Sequence, residues 1–403
     1  MRNFINEKVQ NLQESGIRRF FELANAYDDI ISLGVGEPDF PTPWHVRDEG
    51  IYAIQQGKTY YTSNAGMLEL RQAIADEIKK KTDIYYDPNT EVLVTSGGSE
   101  AIDVALRSTV SPGDEVIYCI PAYVTYLSCI QLADGVPVPI HLKEEDNFRL
   151  TPEALRAAIT PKSKILVLNY PNNPTGAIME REDLEAIADI IIEHDLLVIT
   201  DEIYSELTYL DKPHASIISV PGMRERTIYM NGFSKAYAMT GWRLGYLCAP
   251  DYITSQMAKV HQASIMAAST ISQFAGIEAI KNGQADIDHM RDAYNQRRRY
   301  LVLSLREMGL PCFEPQGAFY VFPNISQFGM TSEAFSMRLI EDQHLAVVPG
   351  TAFGVSGEGF VRISYAYSIN QLRTAMGRLA DFIEKLRLEA VEPNQTTKTL
   401  SNK

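Results

Sequence analysis

The sequence predicts an α/β protein: a large domain with a mainly parallel sheet flanked by helices, plus a smaller α+β domain. Three observations carry this reading. The middle of the chain alternates short, β-rich apolar runs with longer amphipathic stretches, the pattern of helices packed on a parallel sheet. At 403 residues the chain can bury a core large enough for two or three domains. After Leu310 the text changes to short strands and turns before a final helical stretch.

In chain order, Met67, Leu70, Ile74 and Ile78 mark a helix after the turn at Gly66. Strands are expected at Glu91 to Thr95, Glu115 to Ile120, Lys164 to Asn169, Leu196 to Thr200, Thr227 to Asn231 and Leu244 to Ala249. Ile102, Ala105, Leu106 and Thr109 give one connecting helix an apolar face, and Leu184, Ile187 and Ile191 give another. Ile287 to Met308 reads as a long charged helix, with Arg297, Arg298 and Arg299 on a solvated face. Gly317 to Phe322 and Phe360 to Tyr365 read as short strands, followed by a helix from about Asn370 to Leu388. These elements divide the chain into a large domain over 45–290 and a small one over 291–390, and residues 391–403, polar and aperiodic, are expected to be a disordered tail.

Lys plus Arg total 37 against 51 Asp plus Glu, a formal net charge of −14, which argues against nucleic acid or an anionic membrane as a partner. The N-terminal residues lack the apolar core and cleavage site of a signal peptide, and no segment is long and apolar enough to span a bilayer, so a cytoplasmic protein is expected. Cys119, Cys129, Cys248 and Cys312 have neither zinc spacing nor a disulfide framework; no metal is expected.

Ligands of a parallel α/β sheet bind beyond the carboxyl ends of its strands, and residues able to do chemistry fall there. Ser96-Gly-Gly98-Ser99-Glu100 opens a helix after a strand, where backbone N–H groups and the Ser99 hydroxyl could receive a phosphate. Tyr123 could stack on a ring or simply belong to the core. Asp201 and Glu202 are adjacent in a strand, so their side chains point to opposite faces and only one can enter a site. In Asn231-Gly-Phe-Ser234-Lys235-Ala-Tyr-Ala-Met-Thr-Gly-Trp-Arg243, a lysine can form a Schiff base with an aldehyde while an arginine holds a phosphate. An aldehyde and a phosphate on one ligand describe pyridoxal phosphate. Alone, such a pair is more often a solvated lysine and a surface charge.

The whole run resembles the lysine segment of the fold-type I, pyridoxal phosphate-dependent aminotransferases of class I/II. Ser32-Leu-Gly-Val-Gly36-Glu-Pro-Asp-Phe40, Asn172-Asn173-Pro-Thr-Gly176 and Gly359-Phe-Val-Arg362-Ile-Ser-Tyr365 extend the resemblance over nearly the entire chain. Within that family the chain is similar to the branch of bacterial and archaeal aspartate, aromatic and N-acetyl-diaminopimelate aminotransferases. The resemblance implies that residues 1–44 join the small domain. It implies that Lys235 is the Schiff-base lysine, that Asp201 meets the cofactor's ring nitrogen, and that Asn173 and Tyr204 bond its phenolic oxygen. Tyr123 would stack on the ring, while Gly98, Ser99, Glu100, Ser234 and Arg243 would surround the phosphate. Tyr61 would reach that phosphate from the neighbouring subunit, which makes the active form at least a homodimer. Arg362 would make a bidentate salt bridge with the substrate α-carboxylate, with Gly36 and Asn173 beside it. Gly232 departs from relatives that carry a serine three residues before the lysine.

The activity implied is transfer of an amino group from an L-amino acid to a 2-oxo acid such as 2-oxoglutarate, by a ping-pong mechanism. An aromatic or broad donor is favoured, because Ser99 stands where some dicarboxylate-using relatives have a lysine. Apolar residues of Gly16-Ile-Arg18-Arg19-Phe-Phe21 suit a large side chain, while either arginine could serve an acidic one. Aspartate or N-acetyl-diaminopimelate transamination, C–S β-elimination and a noncatalytic ligand sensor are the alternatives.

Overall fold

The computed structural model describes residues 2–10, 12 and 29–400, with side chains through residue 390. Gly16 to Phe21, with Arg18 and Arg19, lie outside the described residues.

Strand β1 (Ile31–Ser32) comes first in the chain, followed by the strands of a seven-stranded sheet: β2 (Val92–Thr95), β3 (Glu115–Ile120), β4 (Val136–His141), β5 (Ser163–Asn169), β6 (Leu197–Asp201), β7 (Thr227–Gly232) and β8 (Gly245–Cys248). Their spatial order is β2-β8-β7-β6-β5-β3-β4, and only β8 runs against its neighbours. Side chains alternate across a strand. Accordingly Ile117, Cys119, Leu166 and Leu168 enter one apolar cluster while Val116, Tyr118, Ile165 and Val167 enter another. Helices such as Gly98–Thr109 and Arg181–Glu193 cover these faces with the apolar residues expected of them.

Strand β4 was not anticipated, because Pro137 and Pro139 argue against a strand. It is an edge strand. Val136 and Leu142 donate their N–H groups toward β3, to Asp114 O and Ile120 O, so alternation turns positions 137 and 139 outward, where a missing donor breaks no ladder bond.

A second core joins the ends of the chain. β9 (Tyr320–Val321), β11 (Val348–Pro349) and β12 (Val361–Ser364) form a three-stranded antiparallel sheet, while β1 pairs in parallel with β10 (Leu345–Ala346). Leu33, Phe319, Ile363, Leu372 and Phe382 share this core. The helix Gln284–Glu307 spans both bodies: Ile287 packs in the sheet core and Met290 in the second one.

Two expectations need correction. Arg298 is buried, bonded to Glu314 and Pro315 O, and Arg297 pairs with Asp39 at 2.7 Å while lying over Phe40 and Tyr294. The charged helix is wedged between packed elements on that side, so Arg297 and Arg298 are not on a solvated face, whereas Arg299 is exposed as expected. The last helix, Ile369–Leu400, continues past Leu388 into the segment expected as a tail. Glu389 and Ala390 are good helix formers, and propagation costs far less than nucleation, which carries the helix past Leu388. No described helix is long and apolar enough to cross a membrane.

Candidate active site

Because β2, β3, β5, β6 and β7 run in the same direction, their carboxyl ends open on one side, and a cavity of about 350 Å³ lies there. Gly36, Gly98, Ser99, Tyr123, Asn173, Asp201, Tyr204, Ser234, Lys235, Arg243 and Arg362 all line it. A larger cavity of about 600 Å³ lies elsewhere, and its lysines and arginine, Lys80, Lys81, Lys212 and Arg291, are paired with Glu77, Glu206, Glu180 and Asp288.

Asp201 ends β6 and is buried. It accepts hydrogen bonds from Tyr126 Oη at 2.5 Å and from Ile203 N at 3.1 Å. Burial nevertheless pushes its carboxyl up to about 6, against the opposing pull of the Tyr126 bond. Glu202 faces the other way, bonded to Ser216 Oγ and His214 Nε2. Only one carboxylate of the pair therefore enters the cavity, as the alternation requires.

Lys235 projects into the cavity just past β7 and donates to Gly36 O at 2.5 Å. Burial brings its ammonium down to about 8, reinforced by the positive charge of Arg362 and, less strongly, of Arg243. Near neutral pH a useful fraction is the free amine, the form that acts as nucleophile and base.

Arg362 on β12 is buried, with its guanidinium carbon over the rings of Tyr320 and Phe353 at 4.5 and 4.7 Å. It donates to Asn173 Oδ1 at 2.9 Å and to Gly34 O, and its Nε has no partner. No carboxylate of the described residues pairs with it. A buried cation lacking a counter-ion is poised for an anionic ligand. The bond from Arg362 also orients Asn173: its oxygen is engaged, which leaves the NH₂ end as donor. Lysine could keep the charge but lose the planar fork, so Arg362→Lys is expected to lower kcat/KM by about 10- to 100-fold, chiefly through KM, in steady-state kinetics.

Ser99, Ser234 and Arg243 line the cavity beside the first turn of the helix Gly98–Thr109, whose leading N–H groups lack intrahelical partners and suit an anion such as a phosphate. Gly97 adopts φ +78°, and a Cβ there would stand 2.6 Å from Arg243 Nη2. A Cβ on Gly245 would stand 2.8 Å from the Gly97 carbonyl carbon, so the cup closes only around glycines. Gly232 fits the same crowding, its added Cβ lying 3.1 Å from Gly245 Cα, which gives a reason for glycine in place of serine.

Two expected ligands do not line this cavity. Glu100 turns its carboxylate to Ser96 N and to His261 Nδ1, because successive helical residues point about 100° apart and Ser99 takes the cavity side. Tyr61 is 84% exposed on the outer surface. Conversely, Tyr126 and Tyr320 line the site without having been singled out; Tyr126 lies three residues after Tyr123 and Tyr320 within the expected strand Gly317 to Phe322, but a tyrosine beside an apolar run gives no sign of which pocket it enters.

Residues 28–379 match the family model described as aminotransferase class I and II. The chain belongs to that family. The aspartate aminotransferase of Pyrococcus abyssi is 42% identical to this aminotransferase over 386 residues, covering 95% of this chain and 99% of the relative. The aromatic-amino-acid aminotransferase 2 of Thermococcus litoralis is 41% identical, with the same coverage of both chains. Among solved structures, aspartate aminotransferase from Thermus thermophilus with maleate superimposes with a TM-score of 0.90 at 40% identity, over 94% of this chain and all of that one. The chain is thus an enzyme that transfers amino groups, and class I and II aminotransferases depend on pyridoxal phosphate. The donor set fits that cofactor: a glycine-lined cup with Arg243 for a phosphate, a buried carboxylate for a ring nitrogen and an enclosed amine for an aldehyde.

Proposed function

We propose that the enzyme takes its amino group from an aromatic or broad range of L-amino acids and passes it to a 2-oxo acid such as 2-oxoglutarate in a ping-pong cycle. The observation that carries the donor class is the cavity lining: beyond Lys235, Arg243 and Arg362 no described lysine or arginine borders it, whereas Val35, Ile102, Tyr123 and Tyr320 do. Among the described residues an acidic side chain would find no further cation there, and Arg18 or Arg19 are the sequence candidates for the second carboxylate of 2-oxoglutarate.

When bound, pyridoxal phosphate supplies an aldehyde for the amino group and a protonated ring that withdraws electrons from the Cα–H bond. Asp201 keeps the ring nitrogen protonated, while Asn173 and Tyr204 donate to the phenolic oxygen and Tyr123 covers a ring face. Ser99, Ser234, Arg243 and the amides of Gly98 and Glu100 hold the phosphate. Arg362, beside Gly36 and Asn173, would orient the substrate carboxylate, and Lys235 Nζ would be the base that takes the substrate Cα proton. The exposed Trp44, Ile54, Tyr60, Tyr61 and Met266 suit a homodimer in which Tyr61 completes the neighbour's phosphate cup. With this goes the division into 1–44, 45–290 and 291–390. Four free cysteines accord with a cytoplasmic location.

Holoenzyme mixed with single amino acids tests the reading without an acceptor. Phenylalanine or tyrosine is expected to convert the cofactor's absorbance to the pyridoxamine form at lower concentration than aspartate. A response to aspartate alone would favour the aspartate reading. Pyruvate and ammonia released from cysteine without an acceptor would favour a β-lyase.

A further inference from the structure

We infer that Tyr320 is a positioning residue with two separable tasks: its ring holds Arg362 ready for the substrate carboxylate, and its hydroxyl supports Tyr204 as the donor to the cofactor's phenolic oxygen. The inference rests on the roles proposed above for Arg362 and Tyr204.

Tyr320 sits on β9, opposite Ser364 of β12, two residues from Arg362 and on the same face of the strand. Only 1% of it is exposed. Its ring centroid lies 4.5 Å from the Arg362 guanidinium carbon, and that of Phe353 lies 4.7 Å from the same carbon. The arginine has few bonds to fix it: Asn173, Gly34 O and an Nε without a partner. With no protein carboxylate alongside among the described residues, the two rings are what keep the guanidinium plane in place while substrate is absent.

The hydroxyl does something else. Tyr320 Oη and Tyr204 Oη are 2.7 Å apart, with the rings nearly perpendicular at 80°. Each phenol has one proton. A phenolate oxygen on the cofactor can only accept, so Tyr204 must donate to it, and Tyr204 in turn accepts from Tyr320. Two O–H groups in series polarise one another, and the outer one strengthens the donation of the inner. The hydroxyl is boxed in: a Cβ on Gly36 would stand 2.5 Å from it, so the glycine makes room for this group as well as for substrate. Burial holds the Tyr320 phenol protonated, with its pKa raised.

Tyr320→Phe removes the hydroxyl and keeps the ring; Tyr320→Leu removes both. The pH titration of the holoenzyme's visible absorbance reports the hydroxyl task. Weaker donation to the phenolic oxygen stabilises the protonated form, so the apparent pKa should rise in Tyr204→Phe and rise less, in the same direction, in Tyr320→Phe. Calorimetric binding of 3-phenylpropionate, an unreactive carboxylate, reports the ring task. Its dissociation constant should change less than about twofold in Tyr320→Phe and weaken roughly tenfold in Tyr320→Leu. An unmoved titration in Tyr320→Phe alongside a shifted one in Tyr204→Phe overturns the hydroxyl task alone. If Tyr204→Phe also leaves the titration unmoved, the assignment of Tyr204 falls and takes that task with it. Wild-type binding of 3-phenylpropionate by Tyr320→Leu overturns the ring task. Thermal unfolding of each cofactor-free variant checks that the fold survives, and Tyr320→Phe, which keeps the buried ring, remains informative should Tyr320→Leu fail to fold.

Discussion

Lys235→Ala is expected to lose steady-state turnover by at least about 10⁴-fold while still holding pyridoxal phosphate without a covalent bond. The retained affinity follows from the distribution of contacts. Asp201, Asn173, Tyr204 and Arg243 border the same cavity and are untouched by the substitution. The lost activity follows from the amine. Its pKa of about 8 reflects burial first and then the nearby Arg362 charge, a setting that makes a neutral base available at the Cα proton. Lys235→Arg is expected to fail as well, because a guanidinium stays protonated where an amine would not. Cofactor absorbance after gel filtration, measured beside kcat, separates the two claims. Turnover close to wild type in Lys235→Ala would remove Lys235 from the mechanism.

Asp201→Asn should lower turnover by about 10²- to 10³-fold, the range for a preorganised charge aimed at the reacting group, and at the same time make the cofactor-free protein more stable at pH 8. The carboxyl titrates near 6 in the folded chain against an ordinary value of 3.8. Between those values the native state holds a proton that the unfolded chain has released, so stability falls as pH rises through the window. Above about pH 6 the wild-type protein carries a buried anion that costs about 3 kcal/mol, an order-of-magnitude figure, and the amide is spared this. Urea unfolding of cofactor-free wild type and variant at pH 4 and pH 8 checks the sign: the gap should open at the higher pH. Parallel behaviour of the two proteins would mean that Asp201 ionises without difficulty. With cofactor bound the comparison should invert, since the protonated ring gives the carboxylate a cationic partner.

Much of this site was legible from local chemistry. Lys235, Asp201 and Arg362 each stand beside a strand whose period and end could be read from the sequence, and β3 falls on the residues expected. What remained hidden depends on contacts between distant segments. Tyr320 meets Tyr204 across 116 positions, and Tyr126 meets Asp201 across 75; no local pattern distinguishes either from a core tyrosine. The Glu100 carboxylate turns away from the cavity, because sequence adjacency to Ser99 does not mean a shared helix face, and only its backbone amide remains a candidate phosphate donor. Arg298 was misjudged because a charged helix reads as solvated until the elements packed on it are known.

The prolines that concealed β4 also bear on how the protein behaves in a crowded solution. A bare sheet edge is an invitation to another chain, which can add a strand by hydrogen bonding to the outward backbone groups. Of the outward amides of β4, those at positions 137 and 139 do not exist, leaving His141 as the remaining donor of the strand. An incoming chain would find a ladder with two rungs missing. The residues that make β4 a poor strand by composition thus make it a good border, one that ends the sheet and discourages aggregation along that side.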